Sequence, residues 1–208
     1  MYESVLDNAT QKTIEILALQ DFFKSFYLAG GTACALHLGH RTSNDLDFFS
    51  NKEILPFEIQ NTLRSNGHFI TDYSESQTLI GRFNETKISF FHYDYPLIGD
   101  LLDLFSIKIS SLEDIGCMKI DTISSRGSKR DFVDLYFILR KFDISLKEFF
   151  QYFEKKYGKE NYNIYHVLKS LVYFEDAEGD PELNMLVQFS WENMKSFFTE
   201  QIKEFKDF

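Results

Sequence analysis

Cysteine is nearly absent: Cys34 and Cys117 are the only two in 208 residues. They show no metal-binding or redox spacing and read as small buried apolar side chains, which excludes a disulfide framework. Proline is scarce at three residues and glycine stands at ten, which leaves little room for linkers or disorder. No apolar run approaches the roughly 20 residues of a membrane-spanning helix. The start, Met1-Tyr2-Glu3-Ser4-Val5-Leu6-Asp7-Asn8, carries neither the basic nor the apolar part of a signal peptide. A cytoplasmic location without membrane association is the default expectation. Positive charge is in deficit, 22 Lys and Arg against 32 Asp and Glu, for a net charge of −10. That sign opposes general electrostatic binding along a nucleic-acid backbone, so any RNA contact has to come from a local basic patch. Arg126, Lys129 and Arg130, near Arg140 and Lys141, form the densest candidate. The Gly-x-x-x-x-Gly-Lys-Ser/Thr loop, His-Glu-x-x-His and Gly-x-Ser-x-Gly are all missing, and the chemistries they carry go with them.

Aromatics are plentiful, with 23 Phe and 11 Tyr, so the core is expected to be rich in rings. Apolar spacing predicts a helix over about 8–24, a strand at 26–29, a helix at 32–38 closed by Gly39, and a strand at 45–49. A helix at 56–65 opens on Pro56, which suits a first-turn position. Strands follow at 68–73, 78–83 and 87–93, the last two joined by a tight turn at Asn84-Glu85, with a further short strand at 107–109. From Ser111 onward the pattern is helical. Strands before residue 110 and helices after it predict an α+β fold: a mixed sheet flanked by helices, with a helical C-terminal part. The expected division is a core over 1–142 and a helical region over 143–208.

The most informative stretch is 30–47. Gly30 and Gly31 permit a sharp turn and close approach of a ligand to the backbone. Thr32 is expected to open a helix whose free N–H groups and dipole favour phosphate. Asp45 and Asp47 then stand one residue apart on a strand, with Leu46 and Phe48 turned to a core. Their side chains share a face and lie about 6–7 Å apart from a rise of roughly 3.3 Å per residue. Two such carboxylates repel unless a cation joins them, and magnesium sits on one or two carboxylates together with substrate phosphates.

That combination resembles the polymerase-beta-type nucleotidyltransferases. The wording Gly-Gly-Thr-Ala-x-Ala-Leu-His-Leu-Gly-His-Arg-x-Ser-x-Asp-Leu-Asp-Phe-Phe is more closely similar to the AbiEii/AbiGii toxin family. A second block agrees, Met118-Lys119 followed by Ser125-Arg126-Gly127-Ser128-Lys129-Arg130-Asp131-Phe132-Val133-Asp134-Leu135-Tyr136. A looser third one is Tyr173-Phe174-Glu175-Asp176-Ala177-Glu178 with Pro181 and Trp191. The resemblance implies a nucleotidyltransferase fold and transfer of a nucleoside monophosphate from a triphosphate to an RNA end, chiefly tRNA, or to a protein hydroxyl. It also implies Mg2+ or Mn2+ on Asp45 and Asp47, and catalytic roles for Asp45, Asp47, Lys119, Asp131 and Asp134. Nucleotide contacts are implied for Gly30, Gly31, Thr32, Arg41, Ser43, Arg126 and Arg130. The biological role implied is the toxin of a bacterial toxin–antitoxin or abortive-infection pair, with a cognate antitoxin protein as partner.

Several residues have plainer readings. Arg41 suits a phosphate or a salt bridge to Asp45 or Asp47. Asp131 is placed to complete a capping box with Ser128, and Arg130 and Asp134 are spaced to pair along a helix. His37 and His40 lack further ligands at metal spacing and read as packing or surface residues. The pattern also departs from its relatives, because a third carboxylate is expected on a neighbouring strand. In Lys87-Ile88-Ser89-Phe90-Phe91-His92-Tyr93-Asp94, Ser89 holds that place and Asp94 stands at the strand end. Three alternatives follow: one metal held with another recruited by substrate, use of Asp131 or Asp134, or loss of activity, with a degenerate fold acting as a protein-binding module as the rival. A small-molecule acceptor is the second enzymatic reading.

Overall fold

The computed structural model describes residues 1–205. Helix α1 (Asn8–Ala18) begins where the Asp7 carboxylate accepts the Thr10 amide at 2.7 Å. Strand β1 (Tyr27–Ala29) runs into α2 (Gly30–Leu38), which ends on Gly39 in the left-handed region. Strand β2 (Leu46–Ser50) pairs antiparallel with β1, placing Ala29 opposite Asp47. Helix α3 (Pro56–Asn66) leads to β3 (Phe69–Glu75), β4 (Thr78–Phe83) and β5 (Thr86–His92). Strand β5 lies parallel to β2, with Ser89 beside Asp47. Strands β6 (Leu102–Leu104) and β7 (Ile107–Ile109) form a hairpin that joins β1 in parallel. The mixed sheet has the order β3-β4-β5-β2-β1-β7-β6.

Among the described residues six α-helices follow: α4 (Leu112–Ser125), α5 (Lys129–Phe142), α6 (Leu146–Tyr157), α7 (Ile164–Ser170), α8 (Glu175–Glu178) and α9 (Trp191–Ile202). Ser111 caps α4, and a full capping box of Ser145 and Glu148 opens α6. The α+β architecture and the helical C-terminal part agree with the expectation. Strand β6 was not expected, because its turn uses Phe105 and Ser106, both at positive φ, in place of the usual Asn or Gly.

The two faces of the sheet differ. Leu28, Leu46, Phe48, Ile88 and Phe90 are fully buried and pack with Phe23 and Phe26, the Phe23 and Phe48 rings meeting edge-on at 4.6 Å. The opposite face carries Ala29, Asp47, Phe49, Ser89 and Phe91 and is the floor of a cavity. Buried Phe149, Phe153, Met194 and Phe198 belong to the same apolar cluster as Phe48 and Phe132. These residues of the helical part thus share an apolar cluster with residues before 142; the last three residues of the expected 143–208 region lie outside those described. Lys156 of α6 adds a buried pair with Asp114 of α4 at 2.7 Å. After α8 the chain returns as a strap along residues 40–43. The Thr42 amide donates to Asn184 O at 3.0 Å and the Leu186 amide to His40 O at 2.9 Å. Among the described residues no helix is long and apolar enough to cross a membrane.

Candidate active site

The cavity measures about 420 Å³ and lies between the open sheet face and the α4–α5 corner. Gly30, Gly31, Thr32, Arg41, Ser43, Asp45, Asp47, Lys119, Arg126, Arg130 and Asp131 all line it. Asp134, the remaining residue marked by the sequence, sits behind that wall with no exposure. Asp45 precedes β2, where the strand was expected to include it, and still reaches the cavity.

Helix α2 begins at Gly30, two residues before the expected Thr32. Its N-cap is Ala29, which has no side-chain oxygen to accept the first amides. The turn needs its glycines. Gly30 has φ +68°, and a Cβ there would stand 3.0 Å from Asp47 Oδ2. A Cβ on Gly31 would stand 2.4 Å from Arg41 Nη2, a contact that forces the guanidinium away. Gly31→Ala is expected to lower the melting temperature by a few degrees and nucleotide affinity by tenfold or more. Scanning calorimetry with a titration checks both, and an unchanged affinity would free Arg41 from the site.

Thr32 is buried, and its hydroxyl donates to Asp45 O and lies 2.8 Å from Ser43 Oγ. It ties the start of α2 to the carboxylate segment. The cations are held by carboxylates behind them. Asp134 accepts Arg41 Nε at 2.7 Å and Nη2 at 2.9 Å, His40 Nε2 at 2.8 Å and Lys119 Nζ at 2.7 Å. Asp131 accepts Lys119 Nζ at 2.7 Å, the Ser128 hydroxyl and Arg126 Nη2 at 3.3 Å. Burial raises both carboxyls, but the Lys119 charge on Asp131 and the Arg41 and Lys119 charges on Asp134 outweigh it. Asp131 is held below, and Asp134 well below, the ordinary carboxylate value. Burial lowers Lys119 as well, yet its two carboxylates lift it to about 12, so it stays charged.

Three plainer readings fail on this geometry. Arg41, in the segment after α2, pairs with Asp134 of α5, because α5 packs against α2, and not with Asp45 or Asp47. Arg130 turns toward Asp45, Nη1–Oδ2 3.7 Å, and not toward Asp134. Ser128 makes no side-chain cap, since its hydroxyl donates to Asp131. Of the two readings for His40, packing holds: it is buried against Asp134 at 2.8 Å and its ring lies 5.0 Å from that of Phe137.

Asp45 and Asp47 open on one cavity, with Arg130 3.7 Å from Asp45, and the two carboxylates suit an oxygen-ligated divalent cation such as Mg2+ or Mn2+. Burial raises the Asp47 carboxyl, and the Asp45 charge adds to this, against Ser89, Lys119 and Arg130, which lower it. A bound cation would reverse that shift. Cys34, His40 and Asp134 also bring ligand atoms within 4.8 Å of one another. Arg41 and Lys119 already fill that corner with positive charge, so it does not fit a metal. The expected third acid is Ser89, hydrogen-bonded to Asp47. Asp94 points to solvent and pairs with His92 at 2.9 Å. Phe49, Ile80, Lys87, Met118, Thr122 and Ser125 also line the cavity. Strand alternation from Ser89 could have marked Lys87 and Phe91, and alternation from Asp47 could have marked Phe49. Met118 and Ser125 stood in the second block of the resemblance without a role, and Thr122 carried no local signal.

A family model described as nucleotidyl transferase AbiEii toxin, type IV TA system, matches residues 14–78 and 85–208. An uncharacterised protein of Aquifex aeolicus is 37% identical over 204 residues, covering 96% of this chain and 97% of that one. Among solved structures, MenT4, a nucleotidyltransferase toxin of Mycobacterium tuberculosis, superposes with TM-score 0.60 at 13% identity, over 96% of this chain and 84% of that one. JHP933 of Helicobacter pylori gives TM-score 0.54 at 16% identity, over 97% and 94%. Antibiotic-resistance factor ANT(2'')-Ia gives 0.53 at 12% identity, over 72% and 92%.

Proposed function

The chain belongs to the AbiEii nucleotidyltransferase toxin family, and from that premise we propose that it transfers a nucleoside monophosphate from a triphosphate to a hydroxyl of RNA, tRNA first among candidates, as the toxin of a bacterial toxin–antitoxin pair. The observation that carries the reading is one cavity holding the Gly30-Gly31 turn, the Asp45–Asp47 pair and a wall of Arg41, Lys119, Arg126 and Arg130. The uncapped amides of α2 receive phosphate oxygens. Asp45 and Asp47 would hold Mg2+ or Mn2+, which when bound supplies charge stabilisation at the reacting phosphate. Lys119 and Arg41 stay charged and aimed by Asp131 and Asp134, and they offset charge on the departing pyrophosphate. The acceptor oxygen bonds to the α-phosphorus as the bond to the β-phosphate oxygen breaks. Arg126 and Arg130 are exposed at the rim and supply the local basic patch that an acidic protein needs for RNA.

Ser89 in the place of an acid favours a second reading, a site that has lost turnover and serves to bind a partner such as the antitoxin. Incubation of the purified protein with each α-labelled triphosphate, Mg2+ and total RNA separates the two. Labelled RNA and free pyrophosphate are expected, with neither from Asp47→Ala. Label on protein instead would move the acceptor to a protein hydroxyl. Absence of transfer with all triphosphates, in a folded protein that still binds one, would replace the enzyme reading with the binding one.

A further inference from the structure

Beyond the phosphate and metal groups, the cavity has an aromatic end. The strand registers set out its floor in rows. In one row Asp47 lies beside Ser89, and Ser89 beside Ile80. Two residues further along, Phe49 lies beside Phe91 on one side and opposite Tyr27 on the other. The Phe49 and Phe91 rings are 5.3 Å apart and tilted by 31°. Tyr27 stacks behind Phe49 at 6.1 Å and Tyr93 meets it edge-on at 5.5 Å, so Phe49 is fixed from behind. Phe49 and Phe91 keep partial exposure and line the cavity, with Met118 of α4 across from them.

We propose that the Phe49–Phe91 wall is a nucleobase-stacking subsite. The inference rests on the nucleotidyltransferase reading and adds to it a place for a base. Spacing supports it. Two residues along a strand span about 6–7 Å, comparable to the reach of a ribose between its phosphate and its base. A phosphate at Asp47 therefore brings its base over the rings. The chemistry agrees, because aromatic faces stack on any base without needing its hydrogen-bonding edge. The wall also has polar neighbours for that edge. Thr122 and Ser125 donate their hydroxyl protons to Met118 O at 2.7 Å and Thr122 O at 3.0 Å. Their oxygens keep lone pairs to accept a base N–H. A purely structural pair of rings would be covered, as Phe48 and Phe90 are on the other face.

The base has two sources, the incoming triphosphate or the end of an RNA acceptor. Phe49→Leu with Phe91→Leu keeps apolar volume and removes the stacking faces, with each single variant held in reserve should the pair fail to fold. Affinities are measured with Mg2+ for tripolyphosphate, for each nucleoside triphosphate and for a short RNA ending in a 3′-hydroxyl. Tripolyphosphate affinity is expected to stay at the parent value. A loss of about tenfold for a nucleoside triphosphate places the incoming base on the wall, and a similar loss for the RNA places the acceptor base there. Unchanged affinity for both in a folded variant would overturn the subsite and leave the phosphate reading intact. If neither tripolyphosphate nor any triphosphate binds the parent protein, the phosphate-and-metal reading falls and the subsite falls with it.

Discussion

Asp47→Asn is expected to abolish transfer and, at the same time, to make the protein melt at a higher temperature. Asp47 of β2 shares a cavity with Asp45, which stands just before the strand, so its loss removes half of the proposed cation site. Transfer should fall by roughly three orders of magnitude, given that one preorganised electrostatic contact is worth about 10²–10³ in rate. The stability gain follows from the raised carboxyl. Burial and the Asp45 charge disfavour the ionised form, while the unfolded chain ionises it freely. Stability is therefore lost as pH rises from the unfolded value through the folded one, and the full cost is present at neutral pH. An amide at this position removes that cost and can still face Ser89. In a chain of this size each kcal/mol of such a gain raises the melting temperature by roughly 2–4 °C. Melting curves from pH 3 to 8 should show the gap between variant and parent widen as pH rises. Mg2+ with a triphosphate should raise the melting temperature of the parent and not of the variant. Equal ligand-induced shifts in both would remove Asp47 from the cation site.

Much of that argument was legible without coordinates, and the reason is local. Residues 30–47 hold the turn, the helix and the start of the strand in one run, and the period-two alternation of a strand fixes which side chains share a face. Ser89 was readable for the same reason, since one strand's alternation aligned it with Asp47. The reading stopped where contacts depend on docking. Arg41 and Asp134 are 93 positions apart, and neither residue's spacing reveals that α5 closes over α2. The i,i+4 spacing of Arg130 and Asp134 pointed to a pair along one helix. The structure separates them: Asp134 turns inward to the buried cations Arg41 and Lys119, and Arg130 turns outward to Asp45. The strap at 184–186 has no periodicity to read, because its role is carried by two backbone hydrogen bonds.

Asp134→Ala is expected to cost more stability than any surface change, because Asp134 is the buried hub that the cations share. Its carboxylate is fully buried and accepts four hydrogen bonds or ion-pair contacts, from Arg41 twice, His40 and Lys119. Removing it strips the buried Arg41 of its carboxylate and leaves it beside Lys119, whose ammonium still pairs with Asp131. Breaking a buried pair on one side costs about 3–5 kcal/mol, which corresponds to a fall of roughly 10 °C or more in melting temperature. The pH dependence distinguishes this from a simple cavity. The folded carboxyls of Asp134 and Asp131 are depressed by the cations. Their contribution is therefore complete above the unfolded value near ~3.9 and is lost as pH falls through the lower folded values. The parent should lose stability steeply below about pH 4, and Asp134→Ala should show a flatter acid limb. Asp134 is fully buried behind Arg41 and Lys119, so in the proposed mechanism it acts through them as a positioning residue. Nucleotide affinity measured well below the melting temperature should fall with it, since the two cations lose their aim, and Asp134→Asn, which keeps the shape and one acceptor oxygen, should recover part of both. A melting temperature within a degree or two of the parent, with the acid limb unchanged, would mean that Arg41 and Lys119 hold their places without Asp134, and the cationic wall would need another anchor.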